Sequence, residues 1–333
     1  MKKSLVNILK IGLPLGLGIF LVWYVFSKLT PADIEDIKNA FANTNYFWIG
    51  ISIVLAILSH VSRAYRWKYT LEPLGIKPKF WNSFFAVMIG YLVNLAIPRL
   101  GEVSRCAVMA KYEKHSFNKL FGTVIAERVA DSLILLSFIV AVVFIQFDVL
   151  YDFLVAHGII AKFTGVKLYI ILALLALGAF IGFRLLKNST FPFFVKIRNA
   201  VYGVLEGIGA ILKMKDRWKF IFHTLFIWLM YVIMFYVAFL ALPDTRHVPI
   251  DGVITAFVIG GISIAVTNGG IGAYPLGIQQ ILLLYNVDAN TGLAFGWIVW
   301  TAQTIMIIAL GGLSFILMPI YNKNLNPHNY ELR

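Results

Sequence analysis

Arginines and carboxylates in this chain fall into three short groups whose spacing suits the binding of an anion. Arg99, Glu102 and Arg105 stand three residues apart, directly after an apolar run from about Trp81 to Leu95, and stack on one face if Gly101 begins a helix. Arg63 and Arg66 are also three apart; Arg128 and Asp131 repeat that spacing, with Glu127 four residues before Asp131. A guanidinium is a planar fork of donors matched to phosphate oxygens, and neighbouring carboxylates can hold such forks or accept a proton or a headgroup cation. A charge at the bilayer centre costs roughly 2.5–3.5 kcal/mol on insertion scales, so charges inside apolar runs point to a site. Structural readings stay open for each group. Arg99 to Arg105 fits a surface loop with a local ion pair, Arg63 and Arg66 fit interfacial anchors that snorkel, and Glu127 to Asp131 fits pairing along one helix.

Two backbone breaks accompany these charges. Pro98 and Gly101 interrupt the run that contains Asn94, and Asn268, Gly269, Gly270, Gly272 and Pro275 interrupt the run from Gly252 to Val266. Broken backbone at membrane depth survives where protein or a water-filled cavity satisfies its polar groups. The second break is either a tight packing turn or a turn whose amides, with Asn268, reach a substrate group. Tyr274, Gln279 and Gln303 are the remaining polar candidates in that half.

The elements that carry these residues follow from composition. Of 333 residues 60% are hydrophobic and 14% charged, and the mean hydropathy is +0.81, which identifies an all-α polytopic membrane protein. The net charge of +13 fits basic loops facing anionic headgroups, and no basic and aromatic module outside the apolar runs points to nucleic acid. Cys106 is the single cysteine, so no internal disulfide framework exists. The histidines lack metal-ligand spacing, no cofactor motif appears, and neither a Walker sequence nor a nucleophile and base pair is visible.

Hydrophobic runs and the positive-inside rule give six full spans and two re-entrant hairpins of opposite orientation, with both termini cytoplasmic. The spans are placed at about Ile11–Ser27, Phe47–Trp67, Leu120–Phe147, Leu168–Leu186, Phe220–Leu242 and Thr291–Met318. The hairpins fall at about Trp81–Ala110 and from Gly252 to near Tyr285. Lys28 to Asn45 and Asp148 to Lys167 are external loops, and the basic connector 187–219 contains an amphipathic helix on the inner leaflet. The halves, about 1–147 and 168–318, form one integral membrane domain resembling an inverted repeat.

At four places the chain resembles the flippase-like family formed by the transmembrane region of lysylphosphatidylglycerol synthases and the UPF0104 proteins. These are Arg63, Arg66 and Trp67; Pro98 to Glu102 with Arg105; Glu127, Arg128 and Asp131; and Gly269, Gly270 and Gly272. Asn268 stands where many members have proline. The resemblance implies movement of a lipid with a phosphate-containing headgroup, an aminoacylated phospholipid or a polyprenyl-phosphate carrier, across a bacterial cytoplasmic membrane. About fifteen residues follow Met318, so aminoacyl transfer is not expected and the chain reads as a transporter rather than an enzyme. Its expected partners are membrane lipids, with a homo-oligomer or an envelope enzyme as further candidates. Two other functions stay open: a non-catalytic partner of an envelope-lipid enzyme, and an integral-membrane lipid-phosphate enzyme using Glu102 or Asp131 as base.

Overall fold

The computed structural model describes residues 2–147, 184 and 187–325. Its regular elements are all helical: α1 (Lys2–Phe26), α2 (Pro31–Ala42), α3 (Tyr46–Leu71), α4 (Phe80–Ala96), α5 (Leu100–Glu113), α6 (Phe117–Ile145), α7 (Pro192–Lys213), α8 (Arg217–Phe239), α9 (Ile250–Val266), α10 (Ala273–Leu284) and α11 (Ala289–Leu325), with short 3-10 turns between some of them. Among the described residues four helices, α3, α6, α8 and α11, are long and apolar enough to cross a membrane, and a fifth span is added if α1 and α2, bent by 110°, count as one. The chain is a polytopic membrane protein. The expected loop 148–167 and span 168–186 lie outside the described residues, apart from Arg184.

The expected loop between Lys28 and Asn45 is instead mostly helix. Thr30 Oγ1 accepts from the Asp33 amide at 3.2 Å, and Asp33 Oδ2 accepts from the Thr30 amide at 2.7 Å. This reciprocal cap, with Pro31 in the first turn, starts α2.

Each backbone break folds two helices back on one another. In the first hairpin, α4 and α5, Gly90 lies against Gly101, and nearer the base Asn82 Nδ2 donates to Glu113 Oε1 at 2.6 Å. In the second, α9 and α10, Gly260 lies against Tyr274 and Gly277 against Ser263. Tyr285 donates to Asp251 Oδ2 at 3.1 Å at its base. The second tip turns on Gly269, Gly270 and Gly272, with φ of 63°, 84° and 69°, values at which a side chain is strained.

The long helix α11 registers the two hairpins against each other. Gly296 in its first half packs on Pro275, and Trp300 Nε1 donates to the Gly269 carbonyl at 2.7 Å. Further along, Gly311 packs on Met88 and Leu92, and Asn322 donates to Asn82 Oδ1 at 2.8 Å. The two bases therefore lie toward opposite ends of α11, and the tips meet between them, where Asn268 Nδ2 donates to the Leu95 carbonyl at 3.1 Å. Phe235, Phe239 and Phe295 centre the core beside the second hairpin; Trp67, Val87, Cys106 and Met109 centre the core beside the first. Outward residues such as Leu136, Val143 and Leu229 stay exposed, as surfaces facing hydrocarbon do.

Candidate functional site

Four elements bring the three charged groups together. Arg63 and Arg66 project from the second half of α3, Glu102 and Arg105 from the start of α5, and Glu127, Arg128 and Asp131 from α6. Helix α8 closes the cluster with Thr224 and Tyr231. Glu127 lies ten residues into α6, or about 15 Å along its axis at 1.5 Å per residue, so the cluster is inside the helical body.

Asp131 is the hub. It accepts Arg63 Nη1 at 2.7 Å and two bonds from Arg66, at 2.7 and 3.1 Å. Arg128 Nη1 stands 4.0 Å from the same carboxylate. Glu127 Oε2 accepts Arg105 Nη1 at 2.9 Å and lies 3.7 Å from Arg66 Nη2. Glu102 is 3.3 Å from Arg128 Nε, so the first hairpin and α6 are joined by two ion pairs, Arg105–Glu127 and Glu102–Arg128. The guanidinium carbon of Arg105 sits 3.7 Å from the centre of the Trp67 ring, whose Nε1 is fixed by Thr123 at 2.9 Å. Such stacking suits a weakly hydrated guanidinium.

Charge does not balance in the buried part. Arg63, Arg66, Arg105, Glu127 and Asp131 are each no more than 7% exposed, and they set three cations against two anions. Arg128 and Glu102 are more exposed and pair with each other. Buried donors remain over: Nε and Nη2 of Arg105 and Nε of Arg63 and Arg66 have no hydrogen-bond partner, nor does the acceptor Glu127 Oε1. A buried, unpaired charged group is expensive, and excess cation with spare donors is the pattern that an added anion would complement.

A narrow cleft lies beside the cluster. It is lined by Arg63, Arg105 and Arg128, by Glu102, and by one face of α4 carrying Val87, Gly90, Tyr91 and Asn94. Its open space is about that of one water molecule. Asn94 Oδ1 accepts from the Gly101 amide at 2.7 Å and so holds the start of α5 across the break.

The other sequence candidates are placed differently. Arg99 does not continue the face of Glu102 and Arg105: it precedes α5 with φ 66°, is exposed, and makes no hydrogen bond or ion pair among the described residues. Its left-handed backbone just before Leu100 takes it off the face of Glu102 and Arg105, so the expected stack of three does not form. Asn268, Gly269 and Gly270 form the contact between tips, one residue along the chain from the cleft through Leu95. Tyr274 packs beneath that turn, Gln279 donates to the Ala289 carbonyl at 3.0 Å, and Gln303 reaches Ser52 only at 3.5 Å. None of those three lines the cleft. The anchor reading of Arg63 and Arg66 gives way to burial and pairing. The local Arg128–Asp131 pair is the longest of the set.

Sequence reasoning passed over Tyr91, Tyr231, Thr224 and Trp67 as site residues. Tyr91 was findable, because residues 87, 90, 91 and 94 recur at the spacing of one helix face. Ser62 Oγ and His223 Nδ1, 2.8 Å apart, lie behind the cluster on α3 and α8. Among the described residues no group of three His, Cys, Asp or Glu could hold a metal ion.

Comparison with known proteins gives two matches. The family described as the lysylphosphatidylglycerol synthase TM region matches residues 11–311. A UPF0104 membrane protein of Methanocaldococcus jannaschii is 29% identical over 123 residues, which cover 36% of this chain and 37% of that protein. The match thus spans little more than a third of the relative's length. No solved structure matches.

Proposed function

Since the chain belongs to the lysylphosphatidylglycerol synthase transmembrane-region family, we propose that it moves a lipid with a phosphate-bearing headgroup from one leaflet to the other. The observation that carries this reading is the buried excess of arginine over carboxylate, with unpartnered donors on Arg105 and Arg63, two residues that line the cleft. A phosphate oxygen there neutralises the excess and takes up donors that protein leaves unmade, each charge-assisted bond contributing about 1.5–3 kcal/mol. Glu102 and Arg128, at the more exposed edge, exchange partners as the headgroup passes, while the tails stay in hydrocarbon.

In this reading six spans and two hairpins from opposite faces form the transporter, with both termini cytoplasmic in a bacterial inner membrane. The opposed bases and touching tips of the hairpins support it. The cleft is too narrow for a headgroup at rest, so movement of the first hairpin against α3 and α6 admits it. The chain acts as a transporter, not an enzyme, and bilayer lipids are its partners.

Mass spectrometry of lipids that co-purify in mild detergent tests this. Arg105→Lys keeps the charge opposite Glu127 but removes the fork and its spare donors. One phosphate-bearing lipid enriched with the original protein and lost from the folded variant supports the reading; identical bulk lipid in both defeats it.

A further inference from the structure

The hydroxyl of Tyr91 has no role in the ion-pair network, yet it lies within reach of it. Tyr91 is on the α4 face that lines the cleft, and its ring is held 4.6 Å, centre to centre, from that of buried His60. Its oxygen stands 3.4 Å from the Tyr231 oxygen, which in turn accepts Arg63 Nη2 at 3.3 Å. Both distances exceed the usual range for such bonds, so the phenols are loosely engaged.

The two phenols carry two O–H donors, and Arg63 supplies only a further donor, so one O–H satisfies the other phenol and the second has no acceptor among the described residues. If Tyr231 donates to Tyr91, the Tyr91 proton is the free one. It then belongs with the unpartnered Nε atoms of Arg63 and Arg105 and with Arg105 Nη2. All of these are donors without acceptors, and a non-bridging phosphate oxygen accepts and never donates.

We propose that Tyr91 donates a hydrogen bond to a non-bridging phosphate oxygen in the cleft, with Tyr231 and Arg63 aiming its hydroxyl. This deepens the reading of the cleft as a phosphate-lipid site and rests on it. Arg63 and Arg105 supply charge; Tyr91 supplies a neutral donor on the mobile partner, the hairpin, and so ties the headgroup to the element that moves.

Tyr91→Phe in proteoliposomes tests it, with a short-chain phosphatidylglycerol and its phosphorothioate, whose sulfur is a poor acceptor, as probes. The half-saturating concentration of the oxygen lipid rises about tenfold in the variant, the size of one lost hydrogen bond to a charged group. The original protein prefers oxygen to sulfur, and Tyr91→Phe loses part of that preference while Lys68→Ala, at an exposed residue that does not line the cleft, keeps it. A merely structural tyrosine lowers the melting temperature and leaves the oxygen-to-sulfur ratio alone, which overturns the proposal. So does an unchanged half-saturating concentration. Should Tyr91→Phe fail to fold, 3-fluorotyrosine at this position, a more acidic donor, must tighten binding, and unchanged binding refutes the assignment. Inorganic phosphate as competitor separates sources: displacement of lipid at equal concentration means a site for the free ion. If the original protein moves no lipid, the transport reading falls, and the donor assignment is then judged by the same probes binding in detergent.

Discussion

Asp131→Asn removes the charge on which the cluster turns. Asp131 takes 2.7 Å bonds from Arg63 and Arg66 and a second bond from Arg66 at 3.1 Å, with both arginines 3% exposed or less. An asparagine keeps one acceptor but turns an N–H toward a guanidinium, so two buried cations lose their counterion. Glu127, at 3.7 Å from Arg66, compensates only in part. Breaking a buried pair from one side costs about 3–5 kcal/mol, which for a chain of this size lowers the melting temperature by roughly 4–7 °C. Intrinsic fluorescence of the reconstituted protein during heating measures it. Lys68→Ala, which opens the exposed Lys68–Glu72 pair at 3.5 Å, is the control and costs at most about 1 kcal/mol. Adding Arg63→Met to Asp131→Asn removes one stranded cation and recovers part of the loss. Melting of Asp131→Asn within the range of the Lys68→Ala control, or no recovery in the double variant, means that Asp131 is not the counterion of the two buried arginines.

Three further outcomes follow from the hairpins. Gly101→Ala puts a Cβ against the Gly90 carbonyl and 2.5 Å from Asn94 Cγ; the backbone contact cannot yield, so the variant loses about 1–3 kcal/mol, seen as a lower melting temperature, and an unchanged one contradicts the close packing. Arg99→Gly relieves a left-handed residue at φ 66° and leaves melting unchanged or slightly raised, whereas Arg99→Val lowers it, since a branched side chain there costs about 1–2 kcal/mol. Leu95→Cys with Asn268→Cys, in a Cys106→Ala background, joins through a short bifunctional maleimide because the tips touch at 3.1 Å. Absence of the product on a gel after protease cleavage within 187–219 means the tips are apart.

Much of this architecture was legible because its signals are local. Pro98 and Gly101, and the glycines from Gly269 to Gly272, mark chain reversals by their backbone chemistry alone, and both reversals occur. The charged site was legible in part, since three- and four-residue spacing puts Arg63 with Arg66 and Glu127 with Asp131 on single faces. Which faces meet is a tertiary fact. That Asp131 serves α3 rather than its own neighbour Arg128, and that Glu127 serves Arg105, depends on helix packing that no spacing encodes. The position of Arg99 turned on one residue: Asn94 satisfies the Gly101 amide, so α5 starts at Leu100 and Arg99 is left outside. Helix α2 was missed although Thr30, Pro31 and Asp33 spell its cap, because a charged stretch poor in lysine reads first as a loop.

Lipid transport itself decides whether a cleft with excess positive charge passes a phosphate-bearing lipid. Proteoliposomes holding a fluorescent phosphatidylglycerol are treated with dithionite, which bleaches outer-leaflet label only. Bleaching beyond the outer-leaflet fraction is expected with the original protein, and that excess is lost with folded Arg105→Lys, while a lipid of the same tails lacking phosphate is not carried faster than in protein-free liposomes. Equal rates for the protein and for empty liposomes, or equal rates for both lipids, would contradict this.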